Sequence, residues 1–315
     1  MELAVESKLC GWHRLRSTTL AGLLLCLTAG CVAPRDAARS ERNVVYGRVG
    51  EKELTLDIFF PKASAPRPQP VAVNVHGGAW TRGAKWNGAG FIAISDLLKR
   101  GYVFVSINYR LAPWSKFPAQ IEDAKCAIRF LRAHAAQYNL DPDRIAALGG
   151  SAGGHIVGLL GTTDAGAGFD LSGGWTNESS RVQAVVDMFG PSDLVYGMQH
   201  GGSLFLAKNV FGAKSADDDV IRLASPVTYV SKDDPPFLLV HGQRDGLVPL
   251  NQSERMKAAL EKAGVPVELV IVKHAGHGFF PAGGWPRPGR KEIGRLIADF
   301  LDRTFQRKPP AMPAG

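Results

Sequence analysis

A serine between glycines constrains the fold of this chain more than any other stretch. Residues 145–150 are apolar or small, Ser151 follows, and residues 152–160 continue with small and apolar side chains at helical spacing. This pattern predicts a strand, a sharp turn and a helix. Gly149 and Gly153 flank the serine where larger side chains would collide with the adjoining strand and helix. The turn therefore has the pattern of a nucleophile elbow, which raises the serine hydroxyl above the edge of a sheet.

Strand and helix patterns alternate around this turn. An alternation of this kind predicts an α/β fold with a mostly parallel central sheet and helices on both faces. Residues 191–224 lack clear periodicity, and we expect a small insertion over the sheet there. Strands are predicted at 53–60, 71–76, 102–107, 145–150, 182–189, 236–242 and 267–272, and further helices at 91–100, 118–138, 251–263 and 290–305.

The first thirty residues have the composition of a targeting segment. Basic residues precede the apolar run 20–27, which is too short to span a membrane as a mature helix. The following Thr-Ala-Gly-Cys31 resembles a bacterial lipoprotein signal, which implies that Cys31 is lipidated and becomes the first mature residue. We therefore expect an exported bacterial protein anchored to the cell envelope by a lipid, with a secreted or periplasmic protein as the alternative.

The rest of the chain divides into a tether, one domain and a tail. Residues 31–43 are polar and alanine-rich and predict a flexible tether. A catalytic domain is expected over 44–306 and a disordered tail over 307–315. Only Cys126 remains inside the domain, so no intramolecular disulfide is available.

The charge pattern and the spacing of the histidines argue against nucleic acid, metals and cofactors as partners. The chain has 315 residues, 45% of them hydrophobic, which is enough for a large core. Its formal net charge is +8, but the basic residues are scattered and no basic run is interleaved with aromatic residues, so nucleic acid is not an expected partner. The histidines are dispersed and form no metal-binding pair, and we expect no metal and no cofactor.

Three polar residues lie just past the carboxyl ends of predicted strands: Ser151, Asp245 and His277. The carboxyl ends of parallel strands lie along one edge of a sheet, where ligand sites form. A histidine can take the proton of a serine hydroxyl, and an aspartate can orient the imidazole and stabilise its charged form. The sequence therefore predicts a Ser-His-Asp catalytic triad.

Other residues compete for two of these roles. His274 is the rival base, but His277 lies between two glycines at a loop tip and is favoured. Asp233 and Asp234 precede their strand, which places them at the opposite edge of the sheet.

Glycines directly after the strand at 71–76 supply the next part of the site. Gly77 and Gly78 allow backbone N–H groups to turn toward a reacting carbonyl, and the N–H of Ala152 begins the helix after the serine. We predict that these three groups form an oxyanion hole. Three aromatic residues are candidates for a substrate pocket, with burial in the core as the equal alternative: Trp80, Trp86 and Phe279.

Together these motifs resemble those of the α/β-hydrolase superfamily, within the branch of acetyl esterases, hormone-sensitive-lipase-like carboxylesterases and bacterial feruloyl and acetylxylan esterases. Ala79 replaces a glycine found in many lipase-like relatives, and the segment before residue 71 is too short for a large amino-terminal cap. The resemblance rests on the motifs at 76–80, 108–111, 117–118, 141–145, 149–154, 190–194, 225–226, 241–245 and 277–279.

The resemblance implies a serine carboxylesterase that hydrolyses short acyl esters of acetyl or feruloyl type, either on small molecules or on polysaccharide. The H-G-G-x-W pattern at 76–80 is shared with kynurenine formamidase-like enzymes, so an arylformamidase or amidase is the second hypothesis. An inactive binding protein on the same fold is the third.

Overall fold

A computed structural model describes residues 34, 36–62 and 68–306 of the protein. The predicted leader (1–30), Cys31 and the tail (307–315) lie outside the described residues. Within the described ranges, no helix has both the length and the apolar character needed to cross a membrane.

One eight-stranded sheet organises the molecule, in the strand order β1-β2-β4-β3-β5-β6-β7-β8. The β1/β2 and β2/β4 pairs are antiparallel, and every pair from β4 to β8 is parallel. The predicted α/β fold with a mostly parallel sheet is therefore confirmed. The strands are β1 (Ala37–Val49), β2 (Lys52–Pro61), β3 (Gln69–Val75), β4 (Val103–Ile107), β5 (Leu140–Gly150), β6 (Ala184–Met188), β7 (Phe237–Gly242) and β8 (Val267–Val272).

Helices cover both faces of the sheet because each carries an apolar stripe that must be buried. The second, fourth and eighth helices share one hydrophobic cluster with the sheet, and the first and ninth share the other. The helices are α1 (Ile94–Lys99), α2 (Ala119–Ala133), α3 (Ala135–Tyr138), α4 (Ala152–Thr162), α5 (Leu194–Gln199), α6 (Leu204–Leu206), α7 (Asp219–Leu223), α8 (Asn251–Ala263) and α9 (Arg290–Thr304).

The predicted tether is wrong over residues 37–43, which form the first half of β1. This edge strand pairs with β2, so its backbone is ordered by ladder hydrogen bonds that its polar composition does not reveal. The buried carboxylate of Asp57 adds to this order, since it accepts hydrogen bonds from Arg42 Nη1 at 2.8 Å and from the Asn43 N–H at 2.9 Å.

Candidate active site

The turn between β5 and α4 has the predicted geometry of an elbow. Ser151 has φ 57° and ψ −124°, which is a strained conformation for a residue other than glycine. A Cβ atom on Gly149 would lie 2.3 Å from the carbonyl oxygen of Gly153, and one on Gly153 would lie 2.1 Å from the carbonyl oxygen of Val75. Only glycine fits these two positions, so the predicted strand, turn and helix are confirmed together with their steric reason.

A hydrogen bond joins Asp245, after β7, to His277, after β8. The imidazole Nδ1–H of His277 donates to Asp245 Oδ2 at 2.8 Å. The other carboxylate oxygen accepts from the backbone N–H groups of Leu247 and Val248, each at 2.9 Å. Because Nδ1 donates this bond, Nε2 is the ring atom left for a further hydrogen bond.

The carboxylate of Asp245 is buried yet held in its charged form. Burial raises its pKa, but the imidazoles of His241 and His277 and the N–H groups of Val248 and Leu247 outweigh this and bring the pKa well below its ordinary value. His241 Nε2 lies 3.6 Å from the carboxylate and donates instead to the carbonyl of Val248 at 2.8 Å. A fixed negative charge therefore faces the ring of His277.

The rival residues have other surroundings. Nδ1 of His274 is buried without a hydrogen-bond partner among the described residues, and no bond joins this ring to Asp245. Asp234 accepts hydrogen bonds from the N–H and hydroxyl of Ser231, each at 3.0 Å, before β7 begins. The geometry therefore favours the pair Asp245 and His277.

The loop after β3 is fixed through its carbonyl oxygens. Nδ1–H of His76 donates to the Gly77 carbonyl at 2.8 Å, and the hydroxyl of Tyr109 donates to the His76 carbonyl at 3.0 Å. The two rings stack with centroids 4.2 Å apart, and burial lowers the pKa of His76 to about 4, so this imidazole is neutral near pH 7. His76 thus positions the glycine loop.

The backbone N–H groups of Gly77 and Gly78 have no hydrogen-bond acceptor among the described residues. A Cβ on Gly77 would lie 3.4 Å from Cβ of Ser151, so this loop packs directly against the elbow. The N–H of Ala152 belongs to the first turn of α4, where no acceptor within the helix exists. These three backbone donors are therefore free to bind a ligand, and their joint role as an oxyanion hole stays a prediction.

Trp80 connects this loop to the helix after the elbow. Its backbone is strained (φ 59°), and its indole Nε1–H donates to His155 Nδ1 at 3.2 Å. Nε2–H of His155 in turn donates to the Ala224 carbonyl at 2.7 Å, and burial lowers the pKa of this histidine to about 4. The neutral ring of His155 holds Trp80 in place between α4 and the segment 191–224.

Ser151 lies between two concave surfaces. The first, the apolar cavity, has a volume of about 370 Å³ and contains many residues of the segment 191–224. Its lining includes Trp80, Ser151, Leu194, Met198, Leu206, Phe211, Ile221 and Leu247.

The second surface, the open cleft, has a volume of about 480 Å³ and lies against the glycine loop and the loop of His277. Its lining includes Gly77, Gly78, Arg82, Asn87, Ser151, Phe189, Gly278, Phe280 and Arg290.

Of the three aromatic pocket candidates, Trp80 alone lines either of the two described surfaces beside Ser151. Phe279 is 1% exposed and packs in the core against Phe189, with ring centroids 4.8 Å apart, so its prediction as a pocket residue is wrong. Trp86 is 63% exposed at the surface and lines neither the apolar cavity nor the open cleft of the described structure, so its role in a pocket stays a prediction. Alternation of polar and apolar residues cannot separate core from pocket for aromatic rings, because both are apolar.

Sequence reasoning missed four residues at the site: Arg82, Phe189, Phe280 and Arg290. Phe189 directly follows β6, and its ring lies 4.8 Å from that of His277. Its position after a parallel strand was a usable signal. The other three belong to loops or to a helix start, where no sequence pattern points toward the cleft.

Comparisons with known proteins identify the family of this chain. The family model named BD-FAE matches residues 56–260. The chain belongs to the BD-FAE family. The predicted resemblance to α/β-hydrolase esterases is thereby confirmed.

Individual members and structures are also similar. Esterase LipQ of Mycobacterium tuberculosis is 34% identical over 281 residues, which cover 87% of this chain and 65% of LipQ, so the chain spans slightly less than two thirds of that relative. A truncated carbohydrate esterase from gut microbiota aligns with a TM-score of 0.73 and 30% identity over 87% of this chain and 99% of that one. A butyrate-bound esterase from Thermogutta terrifontis aligns with a TM-score of 0.68 and 26% identity over 88% and 97%.

Proposed function

We propose that this BD-FAE protein is a serine carboxylesterase that hydrolyses short acyl esters, of acetyl or feruloyl type, including esters carried on polysaccharide. The observation that carries the proposal is the bond from His277 Nδ1–H to the buried carboxylate of Asp245 at 2.8 Å. Residues next to both members, Gly246 and Gly278, share concave surfaces with the elbow serine.

The proposed reaction begins when Nε2 of His277 takes the hydroxyl proton of Ser151 as the oxygen attacks the ester carbonyl. Negative charge then develops on the carbonyl oxygen, which accepts hydrogen bonds from the N–H groups of Gly77, Gly78 and Ala152. The imidazolium, stabilised by Asp245, returns the proton to the alcohol oxygen, and the carbon–oxygen bond breaks to leave an acyl-enzyme. Water attacks this intermediate through the same base and releases the acid.

The proton transfer to the departing alcohol indicates which surface binds the alcohol portion and which binds the acyl chain. His277 must reach the departing oxygen, and Gly278 and Phe280 of the same loop line the open cleft. The alcohol portion therefore occupies the open cleft, and the acyl chain occupies the apolar cavity. A cavity of about 370 Å³ suits a short acyl group, and the butyrate-bound relative supports this choice.

Ser151→Ala tests the nucleophile. We expect this variant to hydrolyse p-nitrophenyl acetate at least about a thousandfold more slowly than wild type, since the covalent route is lost. A fluorophosphonate probe should label wild type and fail to label the variant, and circular dichroism should show an unchanged fold. Wild-type rates in the folded variant would exclude Ser151 as the nucleophile.

A substrate panel tests the specificity. Aryl acetate, propionate and butyrate should be better substrates than aryl octanoate, and acetylated xylan and feruloylated oligosaccharides should release acid. An aryl formamide belongs in the same panel, because faster turnover of the amide would replace the esterase proposal with the formamidase.

We also propose the lipid anchor at Cys31. Mass spectrometry of the protein from a bacterial host should find a lipidated cysteine at the amino terminus, and Cys31→Ser should move the protein from the membrane fraction to the soluble fraction. An unmodified mature protein would leave secretion as the remaining route.

A further inference from the structure

Two arginines lie in the open cleft, on the side assigned to the alcohol. Arg82 comes from the loop after the oxyanion glycines, and Arg290 is the first residue of α9. Both side chains belong to exposed residues, and no residue lining the cleft in the described structure is acidic. The cleft is therefore a positively charged surface beside the reacting bond.

Arg82 is held close to the oxyanion loop. Its N–H donates to the carbonyl of Gly78 at 3.1 Å, and its Cγ lies 3.2 Å from the position that a Cβ on Gly78 would occupy. The aliphatic stem thus covers the glycine loop. Its guanidinium has no carboxylate partner among the described residues.

Arg290 is tied to the loop that carries His277. Nη1 donates to the Gly278 carbonyl at 3.3 Å, and the guanidinium carbon lies 5.8 Å from the centre of the Phe280 ring. This guanidinium also has no carboxylate partner in the described part of the chain. Phe280 is 66% exposed and offers an aromatic face at the same rim.

The apolar cavity has different charge chemistry. Its one carboxylate in the described structure is Asp193, which is already paired with Arg255 Nη2 at 2.6 Å. Its described lining contains no lysine or arginine, so an anionic acyl chain would meet no ammonium or guanidinium group there. Of the two surfaces beside Ser151, the open cleft is the one whose described lining contains arginines.

We propose that the open cleft recognises esters whose alcohol portion carries a carboxylate, as an acidic sugar does. This inference rests on the proposed esterase function and on the assignment of the alcohol to the cleft. A guanidinium matches the geometry of a carboxylate, and two of them in the lining of one cleft would bind one such group. The exposed ring of Phe280 would pack against the body of the alcohol.

Three aryl acetates with the same acyl group and chromophore test the proposal: 4-nitrophenyl acetate, 3-carboxy-4-nitrophenyl acetate and the neutral 3-carbamoyl-4-nitrophenyl acetate. We expect wild-type kcat/KM to be several-fold higher for the carboxylate than for the carbamoyl ester. Arg82→Gln and Arg290→Gln should each lower kcat/KM for the carboxylate ester about threefold, the effect expected for one exposed ion pair. Each substitution should lower kcat/KM for the carbamoyl ester by less than this, so that the preference for the carboxylate ester falls in both variants. Added salt should reduce the wild-type preference.

Arg295→Gln is the matched control, because this exposed arginine lies on the same helix but outside both concave surfaces. Equal wild-type rates for the carboxylate and carbamoyl esters, or equal losses with both esters in the variants, would overturn the proposal. If wild type hydrolyses none of the three acetates, the esterase function itself has failed, which is a different outcome.

Discussion

At the scale of single residues, the charge of Asp245 determines how the site can work. Its carboxylate accepts hydrogen bonds from His277 and from two backbone N–H groups, so it stays ionised although it is buried. This charge fixes the proton on Nδ1 of the imidazole and directs Nε2 toward a substrate-side partner. The low pKa of Asp245 follows from the same bonds that orient the base.

Asp245→Asn tests this role. An amide of the same shape keeps the packing but removes the charge and permits the wrong tautomer of His277, so kcat for p-nitrophenyl acetate should fall by about 10⁴. Asp234→Asn, at the other edge of the sheet, should keep the wild-type rate. Stopped assays on both purified variants make the comparison, and a loss of less than about tenfold in Asp245→Asn would contradict the assigned role.

The sequence could predict the residues Ser151, Asp245 and His277 as candidates because each comes within five residues of the end of a parallel strand, and the ends of such strands meet at one edge. It could not predict the distance between their atoms, which depends on loop conformations such as the turn that aims two N–H groups at Asp245. It also could not place Phe279, whose burial depends on contacts with a distant strand end at Phe189.

At the scale of elements, the elbow depends on close approach between β5, α4 and β3. The carbonyl of Val75 on β3 lies where a side chain on Gly153 would begin. This contact between backbones leaves no flexible group that can move away. The strained backbone of Ser151 is therefore held by packing on both sides.

Gly153→Ala should lower the free energy of unfolding by about 3 kcal/mol or more, because the added methyl meets backbone atoms. Gly197→Ala, within α5, is the matched control, since its Cβ would meet no atom within 4 Å. That change should be neutral or stabilise by up to about 1 kcal/mol, owing to the better helix propensity of alanine. Urea unfolding of both variants measures the difference, and equal stabilities would contradict the steric account.

Two elements lay beyond sequence reasoning for the same reason. The amino-terminal half of β1 is polar, and its order comes from pairing with β2 along an exposed edge. The segment 191–224 lacks periodicity because it contains helices too short to show one, and its order comes from packing over the cavity. Contacts distant in sequence decide both structures, and local patterns do not record them.

At the scale of the whole molecule, three buried titratable groups link folding to pH. Burial lowers the pKa of His76 and of His155 to about 4 and raises the pKa of Asp187 to about 6. One pKa unit corresponds to about 1.4 kcal/mol, so each group changes the free energy of unfolding by about 3 kcal/mol. As the pH falls from 6.5 to 4, both histidines bind protons in the unfolded chain before they do so in the folded chain, and this lowers the free energy of unfolding. Asp187 has the opposite effect, because its folded form binds the proton first below pH 6.

Substitutions at Asp187 and His155 should therefore change the pH dependence of the free energy of unfolding in opposite directions. Asp187→Asn removes the buried negative charge that the folded wild-type protein carries above pH 6. The variant should therefore have a higher free energy of unfolding than wild type at pH 7.5, by up to about 3 kcal/mol. This advantage should disappear as the pH falls from 6 to 4, because Asp187 of the folded wild type then binds a proton. His155→Gln removes one group whose protonation favours the unfolded chain. The free energy of unfolding of this variant should therefore fall less steeply than that of wild type between pH 6.5 and 4. Because all other groups contribute equally to the three proteins, urea midpoints measured across pH 4 to 8 isolate these two effects. Parallel curves for all three proteins would show that neither group changes its protonation on unfolding in this range.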